Sequence, residues 1–297
     1  MNRIMKKRAI DHDNVGYLMI LPFYLFLFTF ILLPIVLNVI ISFTDYNMRK
    51  MSFVGIENYR KLIRDPILIQ SIKNTLVYTV ATLFFVLVIG FLAASGLVSL
   101  RRGASFFRTC IFMPYVISMA SASVIFLWIY DPGNGFLNQI LGAFGLQYRQ
   151  WLYSPSEAIW DIIAMSIWKF VGYNMVIYTS GLLGIPGQLY EAATIDGAGT
   201  LGKVYYIMLP MLRPVIFFLF VTGLINNFNV FEQVNILTAG GPINSTTTIM
   251  HQVYRRAFFE YRMGYAASIT MLLLVVVIII TALNFRFGSR GQDLDLS

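Results

Sequence analysis

An all-α, polytopic membrane protein is the fold class this sequence predicts, on three observations. Of its 297 residues 58% are hydrophobic and only 12% are charged, which is more apolar surface than a soluble core of this length can hide. Six apolar runs approach or exceed the roughly 20 helical residues that cross a hydrocarbon layer. Lipid offers backbone amides and carbonyls no partners, so helices are the spanning form, and the alternating polar pattern of a membrane barrel is absent.

The runs are 15–43, 74–100, 109–130, 158–185, 214–231 and 263–285. Five of them contain no charged residue; 158–185 carries Asp161 and Lys169, and 214–231 is short but extends toward 235. The loop 45–73 includes FVGIENYRKL, where Ile56, Tyr59, Leu62 and Ile63 fall at helical spacing and predict a short interfacial helix. DPGNG at 131–135 is a turn cluster. The segment 186–210, between the fourth and fifth spans, reads as an elbow. Pro186 opens a helix at its first position, and Glu191 sits in the first turn, where a carboxylate favours the helix dipole. Gly197 and Gly199 break that helix, and Pro210 stops a second one. Gly197, Gly202 and Lys203 also match the spacing of a phosphate-binding loop. Val204 stands where such a loop needs a magnesium-binding Ser or Thr, and no strand feeds it, so no nucleotide site is expected.

The chain carries a net charge of +8, with its basic residues on both sides of the predicted spans. Anionic lipid headgroups account for that scatter, and no nucleic-acid partner is expected. Arg3, Lys6, Lys7 and Arg8 immediately precede the first run, which favours a cytoplasmic N-terminus. Six spans then put the C-terminus and 186–210 on the same side. The first run is too long for a cleaved signal core, so a retained anchor is expected. The expected organisation is a tail at 1–14, one transmembrane domain at 15–287 and a second tail at 288–297. Cys110 is the single cysteine, and His12 and His251 are far apart, so neither a disulfide nor a metal site is expected. No nucleophile or metalloenzyme motif occurs, so no catalytic residue is assigned.

Polar groups inside spans are expensive in lipid and point to a cavity or a neighbouring helix. Asn226, Asn229 and Gln233 follow an i, i+3, i+7 pattern on one face of the fifth span, with Phe228 beside them. Carboxamides donate and accept as sugar hydroxyls require, and a ring can stack on a pyranose; the other reading is hydrogen bonding that glues helices together. Lys169, near mid-span, costs about 2.5 to 3.5 kcal/mol unless paired or wet. It could neutralise an acidic solute, pair with an acid on a partner, or donate to carbonyls where the helix is irregular near Gly172, and the structural reading is favoured. Tyr173 and Asn174, one turn on, are further path candidates.

Glu191-Ala192-Ala193, then Gly197, Ile207 and Leu209-Pro210, resembles the signature loop of permease subunits in bacterial ATP-binding-cassette importers. FVGIENY, DPGNG, WKFVGYN, GGPINSTTT and YRRAFFEYRMGYAAS, in that order, are similar to the sugar-type branch, the maltose and glycerol-3-phosphate uptake group, and to the first of its two paired permeases. The likeness spans about 15–287. It implies a six-helix type I importer permease fold in the bacterial inner membrane and a carbohydrate-like solute, with glycerol 3-phosphate as the alternative. The implied partners are a second homologous permease, two cytoplasmic ATPase subunits and an extracytoplasmic solute-binding protein. ATP and magnesium would sit on the ATPase, leaving no cofactor in this chain. Glu191, Ala192, Ala193, Asp196 and Gly197, with Ile207, Leu209 and Pro210, would then couple to that ATPase. The chain lacks the large extra outward domain of the maltose subunit, which speaks against maltose. An ATP-independent carrier or channel is the contrasting class, and its inverted repeats or filter loops are not visible.

Overall fold

The computed structural model describes residues 12–100 and 102–288. The basic cluster Arg3, Lys6, Lys7 and Arg8, together with Arg101 and Arg290, lies outside the described residues, as do the outer parts of both expected tails. Among the described residues there is no strand, only an isolated bridge between Thr44 and Phe53. Four helical segments are long and apolar enough to cross a membrane, and six if each of two bent helix pairs counts as one span.

The chain divides into two compact units, Met1–Leu62 with Arg256–Leu272, and Ile63–Arg255 with the remainder. In the first unit, α1 (His12–Leu27) begins ahead of the expected residue 15 and runs through a π turn at Phe28–Leu32 into α2 (Leu33–Ser42). Its large apolar side chains are almost all exposed, as a helix surrounded by lipid requires. The predicted short helix forms as α3 (Glu57–Arg64). Asn58 holds it, donating to the carbonyls of Ser42 at 2.9 Å and Thr44 at 2.7 Å. Those carbonyls lie where α2 ends, so the buried carboxamide satisfies groups that the helix leaves open. Ile56 and Ile63 are exposed, so the packed face is Asn58, Tyr59 and Leu62 rather than the apolar set read from spacing.

In the second unit, α4 (Pro66–Ser99) starts eight residues before the predicted 74, capped by Asp65, whose carboxylate accepts from the amides of Ile67 and Leu68. The third span is not continuous. It is α5 (Ala104–Val116) and α6 (Met119–Ile129), bent by 98° around Ile117 and Ser118. Pro114 removes an amide from the ladder, and Ser118 caps the restarted helix by accepting from the Ser121 amide. The DPGNG cluster forms the predicted turn, Asp131 accepting from the amides of Gly133 and Asn134, ahead of α7 (Phe136–Ala143).

The central helix, α8 (Ala158–Leu183), is the most buried span and shares its largest interface with α4. Glycines bring its neighbours close. A Cβ on Gly90 of α4 would stand 2.8 Å from the Asn174 Cβ, and one on Gly172 would stand 2.7 Å from the Phe112 Cα of α5. Beyond it come α9 (Gly187–Ile195), α10 (Thr200–Lys203), a π turn at Val204–Met208 and α11 (Leu209–Met211). A 68° bend at Leu212 then leads to α12 (Arg213–Phe228). The fifth span stops at Phe228 and does not continue to 235 as predicted; α13 (Glu232–Leu237) is a separate helix and α14 (Ile249–Tyr254) follows the threonine-rich loop. The last span is α15 (Met263–Gly288), whose first turns belong to the first unit.

Gly172 faces rigid backbone rather than a yielding side chain, so Gly172→Ala should lower stability by about 1 to 3 kcal/mol through overpacking. Gly187→Ala, with open space at its Cβ position, should be neutral. Thermal unfolding of the purified variants in detergent measures the difference.

Candidate functional site: a polar cleft and an exposed elbow

A cleft of about 110 Å³ opens among α4, α5, α8 and α12. Thr82, Thr222, Asn226 and Asn227 supply its hydroxyls and carboxamides, with Asn174 from α8. Tyr115, Phe170 and Tyr173 supply ring faces, and Tyr115 and Tyr173 stack with centroids 5.0 Å apart at 26°. No charged residue lines it. Such a surface can exchange hydrogen bonds with hydroxyls and stack on an apolar sugar face.

Of the predicted path residues, Tyr173, Asn174 and Asn226 line this cleft, and Asn229, Gln233, Phe228 and Lys169 do not. The single-face pattern of Asn226, Asn229 and Gln233 fails because the helix ends between them. Asn229 is the C-cap residue, and its carboxamide donates back to the Ile225 carbonyl at 2.8 Å. Gln233 lies on α13, buried, and donates to the Tyr78 hydroxyl at 2.8 Å; Tyr78 in turn donates to Ser166 at 2.9 Å, and Ser166 to the Ile162 carbonyl. That relay ties α13 to α4 and α8, which makes Gln233 interhelical glue. Phe228 lines a separate groove, apolar but for Thr79, with Val80, Phe84 and Phe220.

Lys169 is buried and donates to the carbonyls of Pro114 at 3.3 Å, Tyr115 at 3.4 Å and Ile117. In an unbroken helix these three carbonyls would accept from the amides four residues on. The bend opens them, and the ammonium closes them again, a cation at a helix C-terminus as the dipole favours. Leaving a buried carbonyl unpaired costs about 1 to 3 kcal/mol. The irregular helix it serves is the third span rather than its own helix near Gly172.

The segment 186–210 folds into the predicted elbow with three differences. Pro186 is the N-cap rather than the first helical residue, and Glu191, the fifth residue of α9, lies in its second turn, beyond the dipole's reach. Pro210 does not stop the second helix: it sits inside α11 after the wide π turn, and the chain bends two residues later at Leu212. The turn itself is a Schellman motif. The Gly197 amide donates to the Thr194 carbonyl at 3.1 Å and the Ala198 amide to Ala193 at 2.8 Å. Gly197 holds φ +80°, the left-handed conformation this motif favours in glycine. Lys203 pins the second arm by donating to the Thr194 hydroxyl at 2.8 Å. Glu191, Ala192, Asp196 and Gly197 are exposed and Ala193 is half-exposed, whereas Ile207 packs against the core beside Leu182 and Leu212. Leu209 and Pro210 are half-buried. Ile195 and Leu201 stand 86% and 84% exposed at the elbow, apolar side chains the sequence reading did not single out.

A second polar cluster was missed as well. Thr246, Thr247, Thr248 and His251, from the GGPINSTTT loop and α14, are buried. Asn74 donates to the carbonyls of Asn244 and Thr247, and Thr248 to that of Val230. Gln252 donates to the Thr247 hydroxyl at 2.7 Å, and that hydroxyl shares a hydrogen bond with the His251 Nδ1 at 3.1 Å. Burial, helped by the nearby Arg255, pushes the His251 pKa down to about 4.

A membrane protein with an uncharged polar cleft between its helices and a glycine-turned elbow between two spans has the architecture of a transport permease. The profile of the binding-protein-dependent transport system inner membrane component family matches residues 86–290, and the chain belongs to that family. It is 34% identical to the probable ABC transporter permease protein YurN of Bacillus subtilis (strain 168), over 94% of this chain and 97% of the relative. It is 33% identical to the sn-glycerol-3-phosphate transport system permease protein UgpA of Pectobacterium atrosepticum, over 80% and 81% of the two chains. Its fold is that of a chain in the crystal structure of a bacterial alginate ABC transporter in complex with an alginate pentasaccharide-bound periplasmic protein. That match has a TM-score of 0.84 at 24% identity and covers 95% and 96% of the two chains. The protein is a permease subunit of a binding-protein-dependent ABC importer with the type I fold.

Between pH 6.5 and 4 the unfolded chain takes up a proton at His251 that the folded chain refuses. Stability is therefore full above pH 6.5 and falls through that window by about 1.4 kcal/mol per unit. Thermal unfolding at pH 7 and pH 5 should show the loss, and His251→Gln should flatten it; an equal slope in both proteins would contradict the assignment.

Proposed function

We propose that this permease forms half of the translocation path for a neutral carbohydrate, delivered by an extracytoplasmic binding protein, and pairs with a second homologous permease. Two ATPase subunits on the cytoplasmic side drive it through the 186–210 elbow, with both termini on that side and with ATP and magnesium held by those subunits. The observation that carries the solute class is the cleft, with its hydroxyls, carboxamides and stacked tyrosines and no charge. A phosphate ester calls for cationic donors, and Lys169, the nearby cation, is occupied by carbonyls. The relative named for sn-glycerol 3-phosphate keeps that solute as the second reading.

The exposed Glu191, Ala192 and Asp196, beside the apolar Ile195 and Leu201, support the elbow as the docking element, since a short helix with small and apolar residues can enter a groove on a partner. Ile207, Leu209 and Pro210 would act from below, anchoring it to the spans. The complete importer in proteoliposomes, offered labelled neutral sugars and glycerol 3-phosphate, tests the solute class. Uptake of a sugar that falls about tenfold in Asn226→Ala supports it, and uptake of glycerol 3-phosphate alone overturns it. Gly197→Val forces a branched side chain into a left-handed turn. Solute uptake should fall while the ATPase still hydrolyses ATP, and Gly199→Ala should transport normally. Full transport by Gly197→Val would count against the elbow's role.

A further inference from the structure

We propose that Lys169 is a positioning residue for transport, setting the aromatic wall of the cleft through the backbone at the break of the third span; the inference rests on reading the cleft as the solute path. Lys169 itself does not line the cleft. It grips the carbonyl of Tyr115, whose ring does line it and stacks on Tyr173, which lies one helical turn beyond Lys169 on α8. The same ammonium holds Pro114 and Ile117, the residues on either side of the Tyr115–Val116 step where α5 ends. One amine on α8 thus fixes both the angle at which α5 gives way to α6 and the height of the Tyr115 ring against Tyr173.

The segment just past the fifth span also approaches this point. Glu232 opens α13 just past the end of α12 and interacts electrostatically with Lys169, and α13 packs against α6. Lys169 therefore holds the broken third span through its carbonyls and meets the segment beyond α12 through charge, and the cleft wall contributed by α5 lies beside it. A side chain with no donors at 169 would free three carbonyls and let the bend and the Tyr115 ring drift together. Arginine, with several donors on a stem of similar reach, would hold them.

The test uses the complete importer in proteoliposomes with the sugar or glycerol 3-phosphate that the wild type carries, measuring solute uptake and ATP hydrolysis on the same vesicles. Lys169→Met should lower solute moved per ATP by about tenfold, and Lys169→Arg should restore it to within about threefold of wild type. If Lys169→Met does not assemble, Lys169→Gln, which keeps two N–H donors, should give an intermediate ratio. A fall in uptake and hydrolysis in proportion, with the ratio unchanged, means that Lys169 only holds the fold and overturns the proposal. Tyr115→Ala and Asn226→Ala in the same vesicles separate the two ideas. If they lower uptake while Lys169→Met leaves the ratio alone, the cleft reading stands and the positioning role fails. If they change nothing, the cleft is not the path and the proposal falls with it.

Discussion

Carbonyls freed inside an apolar layer must find donors within the protein, and the second unit is arranged around that requirement. A continuous helix would satisfy every carbonyl of the third span unaided. The 98° bend between α5 and α6 instead exposes three of them, and Lys169 answers all three. Its charge, costly in lipid, is tolerable because it lies against the negative end of a helix and is buried in protein. The same solution recurs in milder form, where Asn58 answers the carbonyls of Ser42 and Thr44, and Asn74 those of Asn244 and Thr247.

Broken spans also shape the cleft and the segment beyond it. A break lets a helix present side chains and loop backbone at membrane depth without exposing unpaired groups to lipid. The α5–α6 bend brings Tyr115 onto the cleft, and the end of α12 leaves Asn226 and Asn227 there. The relay from Gln233 through Tyr78 to Ser166 secures the segment beyond that end. On the elbow, the Schellman turn at Gly197 and the Lys203 contact make a stiff unit, and Ile207 roots it in the core. A push on that unit would reach α8 and α12 through their packing rather than through a flexible loop.

Spans and elbow were legible in the sequence because they depend on local chemistry: long apolar runs, a proline before a helix, a glycine in a left-handed turn. What the sequence hid depends on where helices break. Asn226, Asn229 and Gln233 share a face only if the helix runs on, and nothing in that uninterrupted run marks Phe228 as its last residue. Pro114 and the capping Ser118 are the local signals of the break in the third span, but run 109–130 carries no charge and is long enough for one continuous span. Lys169 was visible as an anomaly, yet its partners lie more than 50 residues away on another span. The buried threonines of GGPINSTTT read as an ordinary polar loop, since their burial is decided by α4 and α14 around them.

The most direct measurement addresses which face of the membrane carries the elbow. Ala192→Cys, in a background where the lone Cys110 is replaced by serine, is treated in intact cells with a membrane-impermeant thiol reagent and then in inverted vesicles. The account predicts no labelling in cells, labelling in inverted vesicles, and protection there when the ATPase subunits are bound. Labelling of Ala192→Cys from outside intact cells would contradict it.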